Sequence, residues 1–250
     1  MAEEIGNGFE ETGGDDMWNS HSNGKIMVVA HRGGAGLKPE NTTTAFAMAE
    51  EIGADAIELD VRLSSDRKIV VIHDPDLFRV FGDRRRVSEM TYDEIAKVKL
   101  PGGENPPELE AVLRDFNMEF FVEVKVSEVV QPIIELFQNN PRYARRCRVI
   151  SFIHESVKII KDQVENIETG ALRSGLPADP AAVTRACRAD FLSLEHGGVD
   201  APYVDLCHSW GIPVNVWTVN SENDIYRMIS SGVDSITSDR PDLVLKVLSR

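Results

Sequence analysis

Charged and apolar residues alternate in Ala56-Ile57-Glu58-Leu59-Asp60-Val61-Arg62, and His73-Asp74 follows at the end of Ile69-Val70-Val71-Ile72. Alternation of period two is the pattern of a strand, with Glu58, Asp60 and Arg62 on one face and Ile57, Leu59 and Val61 on the other. Two carboxylates and a guanidinium facing a packed apolar core would be costly, so their face is expected to meet a wet, functional cavity. The connection from Arg62 to Ile69 is too short for a parallel crossover. Ser64-Ser65-Asp66-Arg67 is turn chemistry, so a hairpin centred near Asp66 and Arg67 is predicted, which places His73 across from Asp60. Two carboxylates converging with an imidazole are the equipment of metal-assisted acid/base chemistry. The bland alternative is a surface hairpin whose polar residues face solvent.

A second set of candidates ends another apolar run. Ile26-Met27-Val28-Val29-Ala30 reads as a strand buried on both faces, and it feeds His31-Arg32-Gly33-Gly34-Ala35-Gly36. Glycines of this kind can cradle phosphate with backbone N–H groups, although the spacing matches no Walker or dinucleotide fingerprint. A third run, Glu119-Phe120-Phe121-Val122-Glu123-Val124-Lys125, again alternates, with Glu123 and Lys125 sharing a face. They could be a simple ion pair; beside a metal and a phosphate, one would ligate the cation and the other neutralise the anion. His154, His196 and His208 are expected to be ordinary core or surface residues, although Glu195 and His196 end a strand and could reach the site. Arg84-Arg85-Arg86 reads as a solvated face, with a meeting point for an anionic substrate as the alternative.

The elements that must position these residues alternate in type. Asn41 or Thr42 can cap a helix carrying Ala45, Phe46, Ala49 and Ile52 and closed by Gly53. Strand, helix and the 56–62 strand form a βαβ unit, which brings His31 near Glu58 and Asp60. Residues 74–117 are too long for a plain loop and carry helices of their own, one opened by the capping box Thr91-Tyr92-Asp93-Glu94 and one by Pro106-Pro107-Glu108-Leu109. Strand-then-helix pairs follow: 148–152 before 156–164, 168–172 before 179–189, 190–195 before 202–210, 213–218 before 222–230 and 235–238 before 241–248. With 26–30, 56–62 and 119–125 these make eight strands that need parallel neighbours, and 69–73 is an extra hairpin arm. The count predicts an α/β fold, a TIM (β/α)8 barrel with a β-hairpin extension after the second strand and a small helical insertion at about 74–117. The candidates at His31, Glu58, Asp60, Glu123, Lys125 and Trp217 then fall at C-terminal strand ends, on one face.

Composition narrows the function classes. The chain has 250 residues, 42% of them hydrophobic and 27% charged, with a formal net charge of −14. Six of the acids, and no lysine or arginine, lie in residues 1–24, a Gly-rich stretch read as a disordered tail ahead of a single domain over 25–250. An acidic body argues against nucleic acid as a partner. Three cysteines without metal-type spacing are expected to be reduced thiols. No run is long enough for stable membrane insertion and no secretory signal is visible, so the expected location is cytoplasmic. Oligomeric state is not readable.

Taken together, His31-Arg32-Gly33, Pro39-Glu40-Asn41-Thr42, Gly53-Ala54-Asp55, Glu58-Leu59-Asp60-Val61, His73-Asp74, Glu123-Val124-Lys125, Val216-Trp217-Thr218-Val219-Asn220 and Ser238-Asp239-Arg240-Pro241 resemble the glycerophosphodiester phosphodiesterase family over about residues 26–250. The resemblance implies a divalent-metal-dependent phosphodiesterase that splits small-molecule glycerophosphodiesters into glycerol phosphate and an alcohol. It implies Glu58, Asp60 and Glu123 as metal ligands and His31 and His73 as the acid/base pair. Arg32 and Lys125 match phosphate-contacting positions, Trp217 a position lining the glycerol end, and Glu40 and Asn41 a supporting motif. Carboxylate oxygens suit a hard cation, Mg²⁺ or Ca²⁺. The turn departs from the family, with Arg67 where glycine is usual, and so does Ser238 where threonine is frequent. Two rivals within the same chemistry are a lysophospholipase D and a phospholipase C-like enzyme; a rival of another class is a catalytically silent barrel that binds a phosphorylated ligand. A sugar-phosphate isomerase or lyase would share the architecture alone.

Overall fold

A computed structural model describes residues 25–249, and the tail expected over residues 1–24 lies outside them. Nine strands are present: β1 (Met27–Ala30), β2 (Ala56–Leu63), β3 (Ile69–Val71), β4 (Glu119–Val124), β5 (Cys147–Ser151), β6 (Glu168–Arg173), β7 (Phe191–Glu195), β8 (Val214–Trp217) and β9 (Ser235–Ser238). Their order is β1-β9-β8-β7-β6-β5-β4-β2-β3, and a further β1–β2 pairing closes eight parallel strands into a barrel. β3 is the antiparallel ninth. Helices follow the strands, among them Thr43–Glu51, Val130–Asn139, His154–Gln163, Pro180–Cys187, Ala201–Ser209, Glu222–Ser231 and Pro241–Leu248. The architecture is the expected TIM barrel with its hairpin and helical insertion. No helix of the described residues is long and apolar enough to cross a membrane.

Side-chain parity sorts each strand into two faces. Ile57, Leu59 and Val61 point outward into a core shared with Phe46, Ala49, Val112 and Leu113 of the surrounding helices. Residues of the other parity point into the barrel, where Met27, Val29, Ala56, Phe121, Ile150, Leu172 and Phe191 make an apolar layer. Phe121 and Phe191 meet edge to face with centroids 5.8 Å apart. Gly170 leaves space for this pair, since a Cβ there would lie 2.4 Å from the Phe191 ring. Toward β7–β9 the interior is polar: Asn215 donates to Ser193 at 2.7 Å and accepts from Ser235 at 2.7 Å and Thr237 at 3.0 Å. At the N-terminal ends of the strands the fully buried Arg148 pairs with Glu119 at 2.5 Å and Glu168 at 2.8 Å.

The hairpin register differs by one residue from the sequence expectation. Arg62 pairs with Val70 and Leu63 with Ile69, so the residue opposite Asp60 is Ile72, whose N–H donates to the Asp60 carbonyl at 2.9 Å. The turn contains an odd number of residues, Ser64 to Lys68, because Arg67 takes a left-handed conformation (φ 64°). His73 therefore lies one residue beyond the Asp60 pairing, where the chain has left the strand. β2 gives its lower edge to β1 through Ala56 and Ile57 and its upper end to β3 through Val61–Leu63. That arrangement delivers His73 above the end of β1.

The buried Arg148 yields a stability prediction. Removing one partner from a buried ion cluster leaves charge uncompensated and a cavity behind, so Arg148→Ala is expected to lower unfolding stability by about 3–5 kcal/mol. Urea denaturation checks it; a midpoint within error of the parent counts against the role.

Candidate active site

Each strand end contributes the residue that continues its inward parity. His31 follows Met27 and Val29, Glu58 and Asp60 follow Ala56, Glu123 and Lys125 follow Phe121, Phe152 follows Ile150, Trp217 follows Asn215, and Asp239 follows Thr237. A cleft at this end of the barrel is lined by His31, Arg32, Glu58, His73, Glu123 and Lys125, with Phe152 and Trp217 on its wall. The acid row meets the cleft only in part: Glu58 borders it and Asp60 is buried against it, whereas Arg62 lines a separate cavity.

The β2–β4 register sets Asp60 beside Glu123. With Glu58 they form a buried trio in which one carboxylate oxygen from each lies within 4.8 Å of the others. Burial and the neighbouring Asp60 push Glu58 up to about 8, and Glu123 is raised by the same causes. Burial also disfavours charge on Asp60, but Arg32 and Lys125 outweigh it and hold Asp60 below the ordinary range. Lys125 Nζ lies 2.7 Å from Glu123 and 3.4 Å from Asp60. Arg32 Nε lies 3.2 Å from Asp60, its Nη1 lies 3.0 Å from Glu40, and its backbone N–H donates to Glu58 at 2.9 Å. Asn41, in the left-handed region at φ 56°, donates to Asp60 at 2.9 Å, while Thr42 caps the following helix. Gly33 permits this tight loop: at φ 81°, a Cβ would lie 2.8 Å from Ala45 and Phe46.

Both imidazoles are held through Nδ1, which leaves Nε2 for the cleft. His31 Nδ1 lies 2.6 Å from Asp239, and its Nε2 lies 3.8 Å from Glu58. Asp239 in turn accepts from the Asn220 amide at 2.7 Å. His73 Nδ1 lies 2.7 Å from Asp74, whose other oxygen accepts from Arg79 Nε at 2.6 Å. Burial alone would lower His31, but Glu58 and the Asp239 bond outweigh it and raise its pKa. For His73, burial prevails despite Asp60 and Asp74, with Lys125 and Arg32 adding to it, and the pKa falls.

The structure brings all ten sequence candidates to this end of the barrel. Glu40 sits outside the cleft, pairing with Arg32 and, at 2.6 Å, with Arg79. Sequence reasoning assigned no role to Asp74, Asn220 or Asp239, although each stands in a quoted motif, and it overlooked Arg79 and Phe152. Inward parity was the signal available for Asp239 and Phe152. His154, His196 and His208 do not line the cleft and bond instead to the Leu172 carbonyl, Arg227 and Asp234.

The sequence profile of the glycerophosphoryl diester phosphodiesterase family matches residues 31–243. A glycerophosphodiester phosphodiesterase of Caldanaerobacter subterraneus subsp. tengcongensis is 33% identical over 242 residues, covering 90% of this chain and 99% of that protein. The crystal structure of a glycerophosphodiester phosphodiesterase from Parabacteroides distasonis superposes with a TM-score of 0.78 at 28% identity, covering 90% and 97% of the two chains. A human lysophospholipase D is 34% identical over 115 residues, 45% of this chain and 33% of that protein.

The raised Glu58 would make binding of a cation at the acid trio pH-dependent. Below about 8 the metal-free site keeps a proton on Glu58, and a ligating carboxylate must release it. Affinity for Mg²⁺ or Ca²⁺ is therefore expected to rise as pH approaches 8 and to level off above it, with protons released on binding. Calorimetry in buffers of different ionisation enthalpy reads both; affinity independent of pH between about 6 and 8 counts against Glu58 as a ligand.

Proposed function

Because the chain belongs to the glycerophosphoryl diester phosphodiesterase family, we propose that it hydrolyses glycerophosphodiesters to glycerol phosphate and an alcohol, with a divalent cation and the His31/His73 pair. The observation that carries this reading is two carboxylate-tethered imidazoles facing one cleft beside a buried acid trio. Glu58, Asp60 and Glu123 fit a hard cation: all three donors are oxygens, and Asp60 Oδ1 is buried without a hydrogen-bond partner. When bound, such a cation draws charge from the phosphoryl oxygens and supplies positive charge to the trio.

The chain's own residues divide the remaining work. Asp239 faces a neutral amide, so its full charge supports an imidazolium on His31. Burial holds the His73 pKa below the ordinary value, and Asp74, which Arg79 also engages, does not offset it. Environments that separate two pKa values support one division of roles, in which His31 gives a proton to the leaving alkoxide and His73 takes one from water or from the substrate's glycerol hydroxyl. Arg32 and Lys125 stabilise charge on the phosphoryl oxygens. Asn41 orients Asp60, and Glu40 holds Arg32. Trp217 borders the glycerol end, where its buried Nε1–H, without a partner, can donate to a substrate hydroxyl.

A second reading has its own observation. At about 120 Å³ the cleft is smaller than the roughly 300–1,000 Å³ of sites that enclose whole ligands, so the alcohol portion lies over the rim. That rim carries apolar surface: Phe152 is 47% exposed and stands edge to face with Trp217. A lysophospholipid, with its acyl chain on this rim, would suit it.

The test is release of glycerol phosphate from glycerophosphocholine, and of choline from lysophosphatidylcholine, with Mg²⁺, Ca²⁺ or EDTA. Release that EDTA abolishes is expected, and His31→Ala and His73→Ala should each lower turnover by about 10²–10⁴-fold. Asp239→Asn should lower kcat by roughly 10–100-fold with KM little changed, since it acts through His31. Faster choline release from the lysophospholipid favours the second reading. No release from folded protein would leave the silent ligand-binding barrel.

A further inference from the structure

A cavity of about 370 Å³ lies outside the catalytic cleft, between the β2–β3 hairpin, the insertion and the loop after β4. Arg62 and Arg67 line it from the hairpin, and Arg86 and Ser88 from the insertion. Among the described residues no carboxylate lies within 4.0 Å of any of these three guanidinium groups. Glu128 is the one acid lining the cavity, and its nearest bonded partner is the Ser127 hydroxyl at 3.4 Å. Arg62 uses Nε to hold the His73 carbonyl at 2.8 Å, and its two terminal nitrogens have no acceptor among the described residues. Burial, more than the neighbouring Arg86, disfavours the charge on Arg62, while Asp60, Asp74 and Glu123 favour it from beyond 4.0 Å.

The protein carries 41 acids against 27 lysines and arginines, and Arg79, Arg85, Arg148 and Arg240 all sit against carboxylates. Like charges gathered around one cavity repel unless an anion joins them. A guanidinium presents a planar fork of donors that matches phosphate oxygens two at a time. Arginines from two separate segments, with the Ser65 and Ser88 hydroxyls beside them, call for acceptors on several sides of the ligand. A tetrahedral phosphate has these; a planar carboxylate does not.

We propose that the cavity lined by Arg62, Arg67 and Arg86 is a second anion site that binds a soluble phosphate monoester, separate from the catalytic cleft. Arg62 links the two places, because the guanidinium that would hold the anion also holds the backbone of His73.

The experiment is titration of the full-length protein with inorganic phosphate in EDTA, followed by calorimetry and by ³¹P line broadening. Binding is read without metal and without turnover, so its outcome is independent of the hydrolysis assay. Arg86→Glu and Arg67→Glu are expected to weaken phosphate binding by roughly tenfold or more, while Lys125→Ala, on the cleft, leaves it in place. Near-ultraviolet circular dichroism confirms that the variants fold. Unchanged affinity in Arg86→Glu, or loss of all binding in Lys125→Ala, overturns the proposal.

Discussion

Three carboxylates share one low-dielectric spot because parity and register leave them no alternative. Glu58 and Asp60 are two apart on β2, so both must point inward, and the parallel pairing sets Glu123 beside Asp60. Burying such a group is costly unless counter-charge arrives. Much of the surrounding structure answers that demand. The βα loop after β1 supplies Arg32 and Asn41, β4 supplies Lys125 two residues beyond Glu123, and β1 ends in His31. Even so, Glu58 retains a proton up to about 8, so the protein's own cations leave part of the demand unmet. That remainder is a physical reason for the site to accept a divalent cation.

The barrel keeps this charge apart from a second one. At the opposite end the fully buried Arg148 sits between Glu119 and Glu168. Between the two ends lies the apolar layer around Phe121 and Phe191. Glu119, Phe121 and Glu123 are successive inward residues of one strand, so β4 alone passes from the lower cluster through the apolar layer to the upper one. The acid-rich end opens to a cleft, and the proposed chemistry is placed there.

The sequence made visible what depends on period and spacing. Alternation located the strands within about a residue, and Thr42, Thr91 and Pro241 marked helix starts where the structure has them. The helix Val130–Asn139 was not anticipated, although Val130, Ile133, Ile134 and Phe137 carry its buried stripe; Pro132 sits in its first turn, where proline is tolerated. The hairpin slip came from Arg67, because a turn residue in the left-handed region changes the loop count and sequence pattern alone does not report φ. The same limit hid the destination of Arg62. It shares a face with Asp60, but β2 reaches its last residues where β3 replaces β1 as a neighbour, and there the same parity points to another cavity. Contacts such as Asp239 with His31 join residues 208 positions apart, and no local pattern encodes them.

A net charge of −14 would seem poorly suited to an anionic substrate, yet the field at a site is set by the nearest charges within a screening length of about 10 Å. Arg79 illustrates how such a chain controls its cations. It binds Glu40 and Asp74 at once, which removes it as a competitor for phosphate and fixes two residues that orient Arg32 and His73. Arg32 and Lys125 are anchored to Asp60, so their charge stays at the cleft. Acidic partners thus decide which basic groups remain available. In the cavity behind the hairpin no carboxylate of the described residues lies within 4.0 Å of Arg62, Arg67 or Arg86, and the proposed anion would supply the contact.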